Sequence, residues 1–107
     1  MGKAHFFVEL IPPRPTFPMD ITPEEKLLMQ EHARYTHEGF ASGKILIYGP
    51  VMALGGAFGI AVFEAQNEAE ARQFVENDPT VRAGLNTFDV SPMRVAEARG
   101  FGPVEKE

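Results

Sequence analysis

Residues 22–50 read TPEEKLLMQEHARYTHEGFASGKILIYGP, and the folding of this stretch decides the rest of the chain. Thr22 is a helix-capping residue, Pro23 suits the first helical position, and Glu25 stands three residues after the cap, which is the capping-box spacing. A helix is therefore expected from this cap to about Ser42, where Gly43 permits the left-handed turn that stops it. Lys44–Tyr48 is a short β-branched and apolar run, closed by Gly49-Pro50, and reads as a strand. Leu28, His32, Tyr35 and Gly39 follow one another at spacings of four, three and four, so they share one side of the helix. An ionisable His32 thus sits in an apolar stripe where leucine would be the plain choice.

Outward on the N-terminal side, Pro12–Ile21 (PPRPTFPMDI) holds four prolines in ten residues. It can be neither helix nor central strand. Phe17, Met19 and Ile21 are apolar for a linker, which leaves two readings: a loop packed on the domain's own edge, or a lid or dimer-contact loop. Before it, His5–Ile11 alternates as a strand, with Phe6, Val8 and Leu10 on one face and His5, Phe7, Glu9 and Ile11 on the other. Phe7 and Ile11 make the second face partly apolar, so this strand is expected to be central.

On the C-terminal side, Gly55-Gly56 separates two apolar runs and marks a hairpin turn. A phosphate-binding reading of that glycine pair lacks the helix and lysine it would need. Ala57–Glu64 is the next strand. Its small residues Ala57, Gly59 and Ala61 share a face with Phe63 and leave space there, for a packed helix or for a ligand. Asn67 caps a second helix, with Glu70 as capping-box partner. Ala71, Phe74, Val75 and Asp78 continue one face of it. Asp78-Pro79 ends that helix, Thr80–Ala83 adds one turn, and Gly84 stops it. Thr87–Val95 is a last strand, and Pro92 makes it an edge or a bent strand. Residues 1–96 therefore read as a single domain and 97–107 as a polar tail in which Phe101 and Val104 could dock on a neighbour.

The order β-α-β-β-α-β with right-handed crossovers defines an α+β fold: a ferredoxin-like, four-stranded antiparallel sheet with two helices on one face. The opposite face keeps apolar side chains, so a homodimer formed through that sheet face is expected.

Composition narrows the function. Ten basic against fifteen acidic residues give a net charge of −5 with no basic cluster, which argues against nucleic acid. Cysteine is absent, which excludes disulfides and thiolate chemistry and suits a reducing, cytoplasmic compartment. No run approaches the ~20 apolar residues of a membrane span, and MGKAHFFVELIPP reads as a strand rather than a signal peptide. His32 and His37 are five apart, hence on different helix faces, and His5 has no adjacent ligand type. No metal and no cofactor are expected. His37 is expected to face solvent. Arg34 and Arg82 are surface charges or, at most, an anion grip.

His32 and Asp78 remain. Each continues the apolar stripe of its own helix, and both helices pack on one sheet face. Two ionisable groups sent to one interior must pair or face a solvated pocket. A carboxylate that holds one imidazole nitrogen leaves the other as a base near neutral pH. Two plainer readings stand beside this: a core histidine bonded to a backbone carbonyl, and an aspartate that simply caps the turn after Pro79. The last is compatible with pairing, since one oxygen can cap while the other faces the histidine. Tyr35 could bring a phenol to the same pocket or merely pack. Tyr48, Gly49 and Pro50 could line its rim.

These residues resemble the YciI-like (YCII-related) family over roughly Lys3–Val95. The points of likeness are a helical His32 followed by GKILIYGP, a hairpin, an acidic-alanine helix ending in NDPTVRAGL, and a strand ending SPMRV. The proline-rich segment departs from the family pattern. The resemblance implies a dimeric α+β barrel whose site is a His-Asp pair, here His32 and Asp78. A related dehydrochlorinase acts on a hydroxylated chloroaromatic, which implies proton-transfer or elimination chemistry (lyase, isomerase or dehydrochlorinase) on a small cyclic substrate. The alternative is a non-catalytic small-molecule-binding or interaction module on the same barrel.

Overall fold

The computed structural model describes residues 3–100. Phe101 and Val104, expected to dock on a neighbour, lie outside the described residues.

The first helix, α1, spans Pro23–Ala41 between the signals that the sequence provides. The Thr22 hydroxyl accepts from the Glu25 amide at 3.2 Å, and the Glu25 carboxylate accepts from the Thr22 amide at 3.0 Å. At the other end Gly43 takes φ 85°. Its N–H donates to the Phe40 carbonyl at 3.1 Å and Lys44 N–H to the Gly39 carbonyl at 2.9 Å, the paired bonds of a Schellman stop. Gly39 faces inward for want of room. A Cβ there would lie 2.7 Å from the Phe74 ring and 2.9 Å from Ile45 Cδ1.

Strand β1 is Ala4–Ile11, β2 is Ile45–Ala53, β3 is Gly56–Ala65 and β4 is Thr87–Met93. Two short helices, α2 (Glu68–Glu76) and α3 (Pro79–Arg82), lie between β3 and β4. The sheet order is β2-β3-β1-β4 and every pairing is antiparallel. This is the ferredoxin-like order, with β1 central and β4 on an edge, as its Pro92 requires.

Three details differ from the reading of the sequence. Strand β2 does not close at Gly49-Pro50 but continues to Ala53. It lies on the other edge of the sheet, where a proline costs no ladder bond on its outer side. The hairpin turn is Leu54-Gly55, and Gly56 opens β3 at φ 133° with the Pro15 carbonyl 2.9 Å from where a Cβ would stand. On α2 the Asn67 side chain accepts from the Glu70 amide at 2.9 Å as expected, but the Glu70 carboxylate reaches past the cap to the Gln66 amide, so the capping box is not closed.

A bulge at Leu46 breaks the alternation of β2: Ile45 pairs with Phe63 while Ile47 pairs with Val62. Ile45 therefore joins the core on the helix side, Ile47 points to the open face, and Tyr48, opposite Ala61, returns to the helix side. The core of Phe6, Val8, Ile45, Phe63 and Ala65 meets Ala71 and Val75 of α2, with Phe40 of α1 packed against it. Helix α1 rests on β2 and α3 and makes little close approach to β3, whose Ala57, Gly59 and Ala61 lie beneath it. No helix among the described residues is long and apolar enough to cross a membrane.

Candidate active site

The space between α1 and the small residues of β3 is a cleft of about 310 Å³, within the ~300–1,000 Å³ typical of small-molecule sites. Its walls are chiefly apolar. Leu10, Ala57, Gly59 and Ala61 form its floor, Met29, Ala33 and Thr36 of α1 its roof, and Tyr48, Gly49 and Pro50 one side. The proline-rich segment supplies another side through Pro12, Phe17 and Pro18, and Phe17 is only 5% exposed. The segment packs on its own domain, as the first of its two readings has it, and there it forms a wall of the cleft.

His32 and Asp78 also line the cleft. His32 Nδ1 lies 2.6 Å from Asp78 Oδ2. Asp78 is the N-cap of α3, and its other oxygen accepts from the Thr80 amide at 2.8 Å and the Thr80 hydroxyl at 2.6 Å. One carboxylate thus caps with Oδ1 and holds the imidazole with Oδ2. Burial pushes the Asp78 carboxyl upward, but the hydrogen bonds from His32 and Thr80 and the attraction of the imidazole charge outweigh it. The result lies below the ordinary aspartate value. An ionised carboxylate only accepts, so the proton in the 2.6 Å contact belongs to Nδ1. In the neutral ring Nε2 is then the lone-pair nitrogen, and no protein group among the described residues is bonded to it.

Tyr35 does not join this group. Its ring stacks on Phe74 at 4.5 Å and its hydroxyl donates to the Phe74 carbonyl at 2.7 Å, so the phenol is spent in packing α1 on α2. Burial raises the pKa of its phenol above the ordinary tyrosine value, and the negative charge of Asp78 adds to the rise. His37, Arg34 and Arg82 are all exposed. His5 has a partner that the sequence did not disclose: Glu64, directly opposite on β3, accepts from its Nε2 at 3.1 Å. That pair lies on the open sheet face, away from the cleft. Among the described residues no three histidine, aspartate or glutamate side chains converge as metal ligands would.

One cleft residue had no signal in the sequence. Asn86, between Leu85 and the start of β4, reads as an ordinary loop residue, yet it is 3% exposed and lines the cleft.

Fold and site together define a class: a ferredoxin-like α+β domain whose helix-covered face encloses an apolar cleft with a hydrogen-bonded histidine and aspartate. A profile of the YCII-related domain family matches residues 5–94, and the chain belongs to that family. Among solved structures it is similar to the 5-chloro-2-hydroxyhydroquinone dehydrochlorinase (TftG) from Burkholderia phenoliruptrix AC1100, in complex with 2,5-dihydroxybenzoquinone. The likeness has a TM-score of 0.57 at 22% identity and covers 83% of this chain and 93% of that one. At that identity it establishes the shared fold. No curated protein matches the sequence.

Proposed function

We propose that the domain is a cofactor-independent enzyme that moves a proton on a small, hydroxylated cyclic substrate, with His32 as the base and Asp78 as its anchor. The observation that carries this reading is the 2.6 Å bond from Nδ1 to an ionised carboxylate, which leaves Nε2 unpartnered beside an apolar cleft. Asp78 fixes the tautomer and stabilises the imidazolium formed when Nε2 accepts a proton. Tyr48, Gly49 and Pro50 belong to the substrate-binding wall. Tyr35, with its hydroxyl committed to Phe74, holds the helix that carries His32.

An elimination fits these parts. Nε2 takes a proton from one ring hydroxyl and the imidazolium returns it to the ring carbon that bears the chlorine, giving the keto form. Nε2 then takes a second hydroxyl proton, the electron pair released forms the new ring double bond, and chloride departs with the C–Cl pair. Hydrogen and chloride leave together, so no oxidant or reductant is consumed. The structural neighbour's name describes a reaction of this class.

The site would work within a homodimer. Among the described residues the helices cover one face of the sheet only. On the other, Phe7, Val62 and Ile47 form a cross-strand row over three strands.

The test is chloride release from chlorinated hydroxyhydroquinones, followed beside their absorbance. His32→Gln is expected to lower turnover by about 10²–10⁴-fold while thermal unfolding stays cooperative. Ligand-induced thermal shifts without product, unchanged in His32→Gln, would instead identify a binding module.

A further inference from the structure

Thr80 ties a second polar side chain to the neighbourhood of the His32–Asp78 pair. Its carbonyl accepts from the Leu85 and Asn86 amides at 2.9 and 3.2 Å, while its own amide and hydroxyl hold Asp78. The backbone of Asn86 is therefore fixed relative to the carboxylate. The Asn86 side chain is not comparably satisfied. Its Nδ2 reaches only Met29 Sδ, at 3.9 Å, a weak acceptor. Its Oδ1 is the one buried side-chain oxygen or nitrogen without a hydrogen-bond partner among the described residues. Turning the amide over would set Oδ1 against a sulfur that has no proton to give, so neither orientation completes it among the described residues.

A buried amide in this state carries its desolvation cost with no compensating bond, and a leucine of similar shape would avoid that cost. The remaining polar side chains of the cleft are occupied otherwise. The Thr36 hydroxyl donates to the His32 carbonyl, and Tyr48 is 37% exposed, with water to bond to.

We propose that Asn86 is the substrate-positioning group of the cleft. Its side-chain carbonyl, brought round by the soft terminal torsion of the amide, accepts a hydrogen bond from a ring hydroxyl and selects hydroxylated rings over those without a donor. The inference rests on the small-ring reading above and adds to it the group that orients the ring. Apolar walls hold a flat ring by burial but leave it free to turn in its plane. One fixed acceptor removes that freedom and sets which ring atom faces the histidine. A site that leaves a buried polar group unpaired when the hydroxyl is missing also discriminates strongly against the analogue.

Hydroquinone and 1,4-dimethoxybenzene are suitable probes, since the second keeps the ring and oxygens but has no donor. Their affinities are to be measured by calorimetry on the wild-type protein and on Asn86→Leu. The variant is expected to bind hydroquinone roughly five- to tenfold more weakly, to bind the dimethoxy compound as well as before or better, and to unfold at the same temperature or higher. A purely structural amide would lower the melting point and weaken both ligands alike. Equal hydroquinone affinities in the two proteins would overturn the assignment of Asn86 and leave the small-ring reading in place. Failure of both compounds to bind the wild type would overturn that reading and this inference with it. Should Asn86→Leu not fold, a structure of the wild type soaked with hydroquinone decides the matter. A hydroxyl within hydrogen-bond distance of the Asn86 carbonyl is expected, and a ring bound with neither hydroxyl near it overturns the proposal.

Discussion

The two oxygens of Asp78 do separate work, and one substitution can part them. In Asp78→Asn the amide oxygen can still accept from the Thr80 backbone, since asparagine caps helices about as well as aspartate. The amide nitrogen then faces His32 Nδ1, which must become the acceptor, so the ring proton moves to Nε2 and the proposed base is lost. Turnover should fall by about 10²–10⁴-fold, the melting temperature at pH 7 should drop modestly as the carboxylate's stabilisation is lost, and ¹⁵N spectra of the imidazole should report the reversed tautomer. The pH dependence follows from the depressed value of Asp78. The native state holds this proton less tightly than the unfolded chain. The stabilisation is complete above the unfolded aspartate value of about 3.9 and is lost as pH falls through the lower native value. Asp78→Asn removes that share of the acid sensitivity, so its stability should decline less steeply than the wild type's below about pH 4. Retention of the wild-type acid profile would show that the carboxylate is not ionised in the fold. Sequence pattern exposed His32 and Asp78 because an ionisable residue interrupts an otherwise apolar helix stripe. It could not expose Asn86, because no periodicity covers a loop and an unsatisfied amide exists only once its neighbours are placed.

At the level of elements, the segment from Pro12 to Ile21 is held by one guanidinium. Arg14 donates to both Glu25 oxygens at 2.7 and 2.9 Å, to the Asp20 carboxylate at 2.9 Å and to the Asp20 carbonyl at 3.0 Å. Its charged head lies 5.5 Å from the centre of the Phe17 ring. Arg14 thereby joins the loop to the N-terminal cap of the helix that carries His32. Hydrogen bonding to Arg14, then to the Thr22 amide, draws the Glu25 carboxyl down to about 2. Its contribution to stability is therefore present above the ordinary glutamate range and fades as pH drops toward 2. Arg14→Met should return Glu25 toward ordinary titration and free the loop while leaving the capping box intact. Amide exchange is expected to quicken at Phe17, Met19 and Ile21, whose N–H groups bond within the loop, with the interior of α1 still protected. Hydroquinone affinity should fall as the wall of the cleft loosens. Unchanged exchange at those three amides would mean that Phe17 burial alone holds the segment. The helices, the element order and the edge position of β4 were legible from caps, stops and alternation. The extension of β2 past Pro50 was not, because a proline forbids a ladder bond on one side only and the sequence does not say which side is paired. The Leu46 bulge was hidden as well, since three consecutive apolar residues, Ile45, Leu46 and Ile47, read the same with or without a skipped partner. Yet that bulge is what turns Tyr48 toward the cleft.

For the whole molecule, the deciding asymmetry is that, among the described residues, one sheet face has helices and the other has none. Cross-strand register places Phe7, Val62 and Ile47 in one row on the uncovered face, with Phe58 and Val51 paired nearby. Charges on that face gather toward the other edge, where His5 meets Glu64 and Glu9 stands opposite Asp89. The apolar half is centred on β3 and β2, and a second copy of the chain offers the same half in return. Two such sheets packed face to face, about 10 Å apart, would close each other's core and brace the floor of both clefts. Ile47 is the position at which to test this, because it is 38% exposed on an edge strand and its replacement should leave the monomer folded. Ile47→Glu would bury two uncompensated carboxylates in the paired assembly, at a cost of several kcal/mol. Sedimentation at micromolar concentration is expected to show a dimer for the wild type and a monomer for Ile47→Glu. Leu27→Glu, an equally drastic change at a 62% exposed position on α1, should stay dimeric. A wild-type monomer, or an Ile47→Glu dimer, would move the interface off this face. The open apolar row would then need another cover.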